Sequence, residues 1–164
     1  MVAIVVPALA TTPGGVVTTT FGVGRFGDIN ATAMTDVDPG AATDFWQARI
    51  NTKRASDLYI LQNTISPGAT FSTAGTFGWH SHPGPSLVIV KSGTATFYMA
   101  DDPTCSPHII QAGQGFVDQG SDVHVVRNES NVDLVTVVVS LVPAGFERRI
   151  DVSAPTNCPG LQNG

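Results

Sequence analysis

His80, His82 and His124 are the residues on which this chain could build chemistry. His80 and His82 form a His-x-His pair inside strand-like sequence, residues 76–82. On a strand, residues i and i+2 share one face and lie about 6.6 Å apart along the chain, so two imidazoles can lean onto one ion. His124 opens a later strand-like run. In an antiparallel sheet that run can lie beside the first and bring a third imidazole to the same centre. Three neutral imidazoles bind Zn²⁺, Fe²⁺, Cu²⁺ or Ni²⁺ readily, and Mn²⁺ less well. An isolated His-x-His pair is common and carries little by itself, so the surrounding elements decide.

Those elements read as strands. The chain has 164 residues, enough for one domain that folds without a staple. Val and Thr are abundant, and both are β-branched, which favours strands. Charged residues are only 13% of the chain, and 17 Gly with 11 Pro supply many turns. Strands are predicted over 45–50, 57–65, 76–82, 87–91, 94–99, 108–111, 116–118, 123–127 and 132–142, and no segment has a helical period. Ser92-Gly93 reads as a two-residue hairpin turn between two of them. Ala95, Phe97 and Met99 alternate with Thr94, Thr96 and Tyr98, as on a strand with one buried face. The expected fold is all-β, a sandwich or barrel, with a jelly roll among the few solutions. Residues 1–43 are expected as an N-terminal arm, 44–150 as the barrel and 151–164 as a C-terminal tail. Within the arm, residues 11–43 read as loosely ordered. Gly22, Gly24 and Gly27 form a Gly-x-Gly-x-x-Gly string there, but no strand–helix context surrounds it, so it is not a dinucleotide motif.

Two stretches resemble the paired motifs of the cupin superfamily. The first runs Gly75-Thr-Phe-Gly-Trp-His80-Ser-His82-Pro-Gly-Pro-Ser86 and closes at Gly93. The second runs Gly113-Gln-Gly-Phe-Val-Asp-Gln119-Gly120-Ser121-Asp-Val-His124-Val-Val-Arg-Asn128. The resemblance implies a double-stranded β-helix, the cupin barrel, with one divalent transition metal (Fe, Zn, Mn, Ni or Cu) on His80, His82 and His124. It also implies a small-molecule ligand or substrate and suggests a homodimer paired through exposed strands.

The sequence departs from that pattern. Gly75 lies one residue closer to His80 than usual, Gln119 replaces a Pro, and Ser121 replaces a Gly. Most consequentially, Ser86 stands where the family has a Glu ligand. Without that carboxylate, three neutral histidines leave a divalent centre at its full charge and open on one side. Such a centre suits anionic or enolisable substrates that bind through two oxygens, with the ion as Lewis acid. Three-histidine iron centres of this kind resemble those of acetylacetone-cleaving, gentisate-type and thiol dioxygenases. Ser86 and Asn128 are expected near the metal, Ser86 toward bound water and Asn128 in backbone or outer-sphere hydrogen bonds. The lesser alternative is that loss of the fourth ligand weakened the site until it no longer holds metal.

Other residues carry less. Trp79 should face away from His80 into packing, and Phe77, Phe97, Tyr98, Met99 and Phe116 should mostly fill the barrel. His108 reads as a surface residue, and Asp118, Asp122 and Glu129 as solvated loop carboxylates before general bases. The net charge is −5 and no Lys/Arg cluster exceeds the pairs Lys53-Arg54 and Arg148-Arg149, which excludes a nucleic-acid partner. No apolar run approaches the ~20 residues of a membrane span. Cys105 and Cys158 lie in Pro-rich loops and form either a disulfide tying the tail to the barrel or two surface thiols. The apolar run 2–10 ends in Ala8-Leu9-Ala10, like the end of a signal peptide or else a first strand. With the low charge density, these features suggest a secreted or extracytoplasmic protein. Two functions follow: a metal-dependent enzyme with dioxygenase-like or Lewis-acid chemistry, or a non-catalytic exported module that binds a small ligand.

Overall fold

The computed structural model describes residues 10–11, 13–36, 45–68 and 75–161. Among these, twelve strands are β1 (Val16–Phe26), β2 (Asn30–Asp36), β3 (Phe45–Asn51), β4 (Ser56–Ile65), β5 (His80–Ser81), β6 (Ser86–Ser92), β7 (Thr94–Met99), β8 (His108–Gln111), β9 (Gly115–Asp118), β10 (His124–Arg127), β11 (Leu134–Pro143) and β12 (Ile150–Asp151). Ten of them make two five-stranded sheets, in the orders β1-β4-β11-β6-β9 and β12-β5-β10-β7-β8. All pairings are antiparallel, as in the expected double-stranded β-helix. β2 and β3 pair only with each other. No helix among the described residues is long and apolar enough to cross a membrane.

The alternation along β4, β6 and β11 puts every second residue inside. Leu61, Ile65, Val88, Val90, Leu134 and Val138 point inward, and Ile65, Val90 and Leu134 meet Ala95 and Val126 from the opposite sheet. Phe77, Phe97 and Phe116 pack against that core, as filling. At the centre of the second sheet, β5 and β10 are buried on both faces. Behind it Trp79, Tyr98, Val125, Cys158 and Leu161 form a separate apolar layer, so the C-terminal tail covers the sheet's back. Trp79 is fully buried there, and its indole N–H donates to the Leu161 carbonyl at 2.8 Å. The Cys105–Cys158 disulfide joins the same layer, its Cα atoms 5.4 Å apart.

Several elements differ from their sequence reading. The stretch read as loosely ordered supplies β1, which pairs along all of β4, and β2. Of β1 only Val16 is even half-buried, so backbone hydrogen bonds to β4 order it rather than side-chain burial. The apolar run 2–9, residues 37–43 and the last three residues of the tail lie outside the described residues. Ser92-Gly93 is no hairpin, because β6 and β7 belong to different sheets. It is a corner. Gly93 adopts φ 78°, and a Cβ there would come within 2.6 Å of the Asp133 carbonyl oxygen. The strand expected over 76–82 shrinks to β5, because Gly78 takes φ 68° against Thr11 and leaves Thr76 only isolated bridges to Gly14 and Arg127.

Candidate metal centre

β5 lies between β12 and β10, and the register sets His124 directly across from His80. His82 follows the end of β5, where its N–H donates to the Gly120 carbonyl at 3.3 Å. These short pairings bring the three histidines together. Ring centroids are 4.8 Å apart for His80–His82, 4.4 Å for His80–His124 and 5.5 Å for His82–His124. One nitrogen from each lies within 4.8 Å of the others, a set that could hold a metal ion. All three side chains are buried. Phe97 stacks on His124 with centroids 5.1 Å apart.

The outer nitrogens are all committed. His80 Nδ1 meets the Gly78 carbonyl at 2.8 Å, His82 Nδ1 the Arg148 carbonyl at 2.6 Å, and His124 Nδ1 the Asp122 carbonyl at 3.0 Å. A carbonyl only accepts, so each Nδ1 carries the hydrogen and each Nε2 keeps a lone pair. This is how proteins orient histidine for metal. Burial opposes an imidazolium at each position. It drives His80 far below the ordinary histidine range, holds His82 at about 4, and lowers His124 against the pull of Asp118.

A carboxylate joins this group. Asp118 ends β9 as a buried residue, with Oδ2 at 3.2 Å from His82 Nε2 and 3.8 Å from His124 Nε2. Its other oxygen accepts from the Gly120 N–H at 2.9 Å. The reading of Asp118 as a solvated loop carboxylate is therefore corrected. The signal lay in its parity with Phe116, two residues earlier on the same strand, but which face that parity selects depends on pairing with β6. Glu129 instead accepts from Tyr98 and Arg127, away from the histidines, and Asp122 contributes its backbone carbonyl. His108 is exposed on β8.

Ser86 is buried beside the centre but spends its hydroxyl on Ser140, its register partner across β11. Asn128 is fully buried, and its hydrogen bonds go to the Ile65 and Val132 carbonyls and to Ser130. It pins the β10–β11 turn to the end of β4.

A cavity of about 40 Å³ adjoins the histidines, lined among others by Ser86, Val88, Phe116, Asp118 and Val138. That is room for an ion and a few water-sized atoms. Arg148 and Arg149 also line it. Arg149 is tied through Nε to Asp151 and through Nη2 to the Phe77 carbonyl. Its Nη1 is buried with no hydrogen-bond partner among the described residues. In the sequence this pair read only as an isolated basic doublet, because nothing local shows that β12 folds back onto β5.

The depressed histidines make a pH prediction for metal-free protein. His82 favours its neutral form in the fold, so its contribution is full above about pH 6.5 and is lost as pH falls through about 4. Asp118, raised by burial, titrates in the opposite sense and makes the slope shallower. The urea midpoint of metal-free protein is expected to drop between pH 6.5 and 4, and His82→Gln to flatten that drop. Equal slopes for parent and variant would contradict the assignment.

Residues 65–140 match the family model described as Cupin domain. No curated protein matches the sequence. Similar solved structures include a conserved protein of unknown function from Streptococcus pyogenes, 19% identical over 54% of this chain and 67% of that one, with a TM-score of 0.42. Another is a cupin superfamily protein from Desulfitobacterium hafniense, 9% identical over 76% of this chain and 81% of that one, with a TM-score of 0.43. A third is a recombinant oxalate oxidase in complex with glycolate, 20% identical over 79% of this chain but only 52% of its own length, with a TM-score of 0.45. With the matched segment spanning both motifs and all the strands that carry the histidines, residues 65–140 are a cupin domain.

Proposed function

We propose that the protein binds one divalent transition-metal ion, Fe, Zn, Mn, Ni or Cu, through His80, His82 and His124, and uses it on a small anionic substrate. The observation that carries this reading is the convergence of three Nε2 lone pairs, each fixed by an Nδ1 hydrogen bond to a backbone carbonyl. A cluster of acceptors with no donor among them calls for a cation. Such an ion supplies Lewis acidity, or one-electron chemistry where it is iron or copper. The unpartnered Arg149 Nη1 offers a charge-assisted hydrogen bond to an anionic group in the cavity, while Phe77, Phe116 and Val88 exclude water. The cavity's size favours a substrate of few atoms, or one that presents only its reacting end.

Elemental analysis of undialysed protein tests the metal. Near one equivalent is expected. If none is present, and none of the five ions raises the melting temperature, the reading is wrong. Oxygen uptake with a diketone, a thiol acid or a catechol-like acid would mark an oxygenase. Stabilisation by such anions without turnover would instead mark a non-catalytic binding module.

Two further properties belong to this proposal. The disulfide supports an oxidising, extracytoplasmic setting, and recovery of the protein only from the reducing cell interior would contradict it. A homodimer is supported by the outer face of the first sheet, where Ile60, Leu87, Ile89 and Val117 are exposed, and by the β2–β3 ribbon, which exposes Phe45, Trp46 and Ile50. A two-stranded ribbon is marginal alone in water, and a second copy of this chain offers it a matching apolar face. Sedimentation should give a dimer that Ile89→Glu dissociates; a monomeric parent would refute it.

A further inference from the structure

We infer that Asp118 is a fourth ligand of the metal, delivered from β9 to replace the carboxylate missing at Ser86. This rests on the metal reading above and goes beyond its three histidines. Ser86 and Asp118 are direct register partners across β6 and β9, so the two positions face the same centre from adjacent strands. The loss of a carboxylate on one strand is matched by a carboxylate on its neighbour.

The geometry supports ligation over a bystander role. Ligand atoms bound at about 2.0–2.2 Å to one ion lie about 3.0 Å apart at right angles and about 3.4 Å apart in a tetrahedron. Asp118 Oδ2 stands 3.2 Å from His82 Nε2, between those separations, and 3.8 Å from His124 Nε2, beyond the tetrahedral value by about 0.4 Å. Oδ1 is anchored by the Gly120 N–H, and that bond turns Oδ2 toward the histidines. A plain hydrogen bond from His82 Nε2 to Asp118 would need a hydrogen on that nitrogen. His82 already gives its Nδ1 hydrogen to the Arg148 carbonyl, so the alternatives to a metal ligand are a buried imidazolium or a neutral Asp118 carboxyl that donates its O–H to the Nε2 lone pair.

Ligation changes the chemistry expected of the site. One carboxylate brings a divalent centre from +2 to +1, which lowers the cost of burying it. Arg149 lines the same cavity as the three histidines and Asp118. The anionic end of a substrate would be shared between ion and guanidinium rather than held by the ion alone.

The native protein loaded with zinc provides the direct test. A crystal structure is expected to show an Asp118 oxygen within about 2.3 Å of the zinc. Zinc bound with Asp118 beyond 3 Å would overturn the inference and leave the three-histidine reading standing. Failure of the native protein to take up zinc, cobalt or any other of the ions would remove both. In cobalt-loaded protein, Asp118→Ala should weaken binding about 100-fold and alter the visible ligand-field spectrum. Ser86→Glu added to that variant should recover most of the affinity, because the new carboxylate rises from the register partner. An unchanged affinity and spectrum in Asp118→Ala would refute the assignment without reference to activity.

Discussion

His80→Ala protein is expected to purify without metal and to show no rise in melting temperature when an ion is added. His80 is the most interlocked of the three histidines: it pairs with His124 on one side and with Asp151 on the other. Its ring also neighbours both other imidazoles. Changes outside the coordination shell already cost about 10- to 100-fold in metal affinity, so loss of a ligand should exceed 100-fold. An ion at a hundred times its Kd stabilises the parent by about 2.7 kcal/mol, and this is the quantity that should vanish. The metal-free stability needs separate measurement, because the substitution also leaves the Gly78 carbonyl without its donor. The readout is therefore the metal-induced shift in each protein. His108→Ala serves as the control, since His108 is exposed on β8 and should keep the parent's shift. A full metal-induced shift in His80→Ala would place the ion elsewhere.

The site was legible in the sequence to the extent that local periodicity fixes it. His80 and His82 share a face because of their spacing, and Trp79, one residue before His80, had to turn the other way, where it now fills the outer layer. His124 was legible because it opens a strand at the distance a known motif pair sets. Asp118 and Arg149 were not. Asp118 ends a strand of four residues and Arg149 directly precedes one of two, and no pattern that short shows which side faces the cavity. Their placement comes from cross-strand register, Asp118 opposite Ser86 and Ile150–Asp151 beside β5. Register is a property of the partner strand as much as of the residue itself. β1 was missed for the opposite reason: a Thr- and Gly-rich strand with exposed side chains gives no burial pattern, although β4 pairs with its whole length. The Ser92-Gly93 corner shows the same limit. A turn signal reports that the chain bends, and cannot report whether the flanking strands pair with each other or with β11 and β10.

Reducing the Cys105–Cys158 bond is expected to cost the fold about 4 kcal/mol on loop-closure grounds, because it joins residues 53 apart in sequence. For a chain of this size that corresponds to a fall in melting temperature of about 8–16 °C. The comparison should use the parent protein with and without reductant. A Cys158→Ala variant would also remove packing against Trp79 and Leu161, since Cys158 is buried in their layer. The effect should also be local. The indole of Trp79 holds the Leu161 carbonyl, and Asn157 donates to the Ala100 and Asp102 carbonyls, so the tail has three separate ties to the second sheet. With the covalent tie cut, amides at 157–161 should exchange with solvent faster than those of β10, whose residues are all buried. Should the melting temperature fall by less than about 2 °C, the tail is held by the Trp79 layer, and the disulfide acts on the native state rather than by restricting the unfolded chain. In that case Trp79→Ala, which empties the largest fully buried side chain, becomes the costlier change, at about 3–5 kcal/mol.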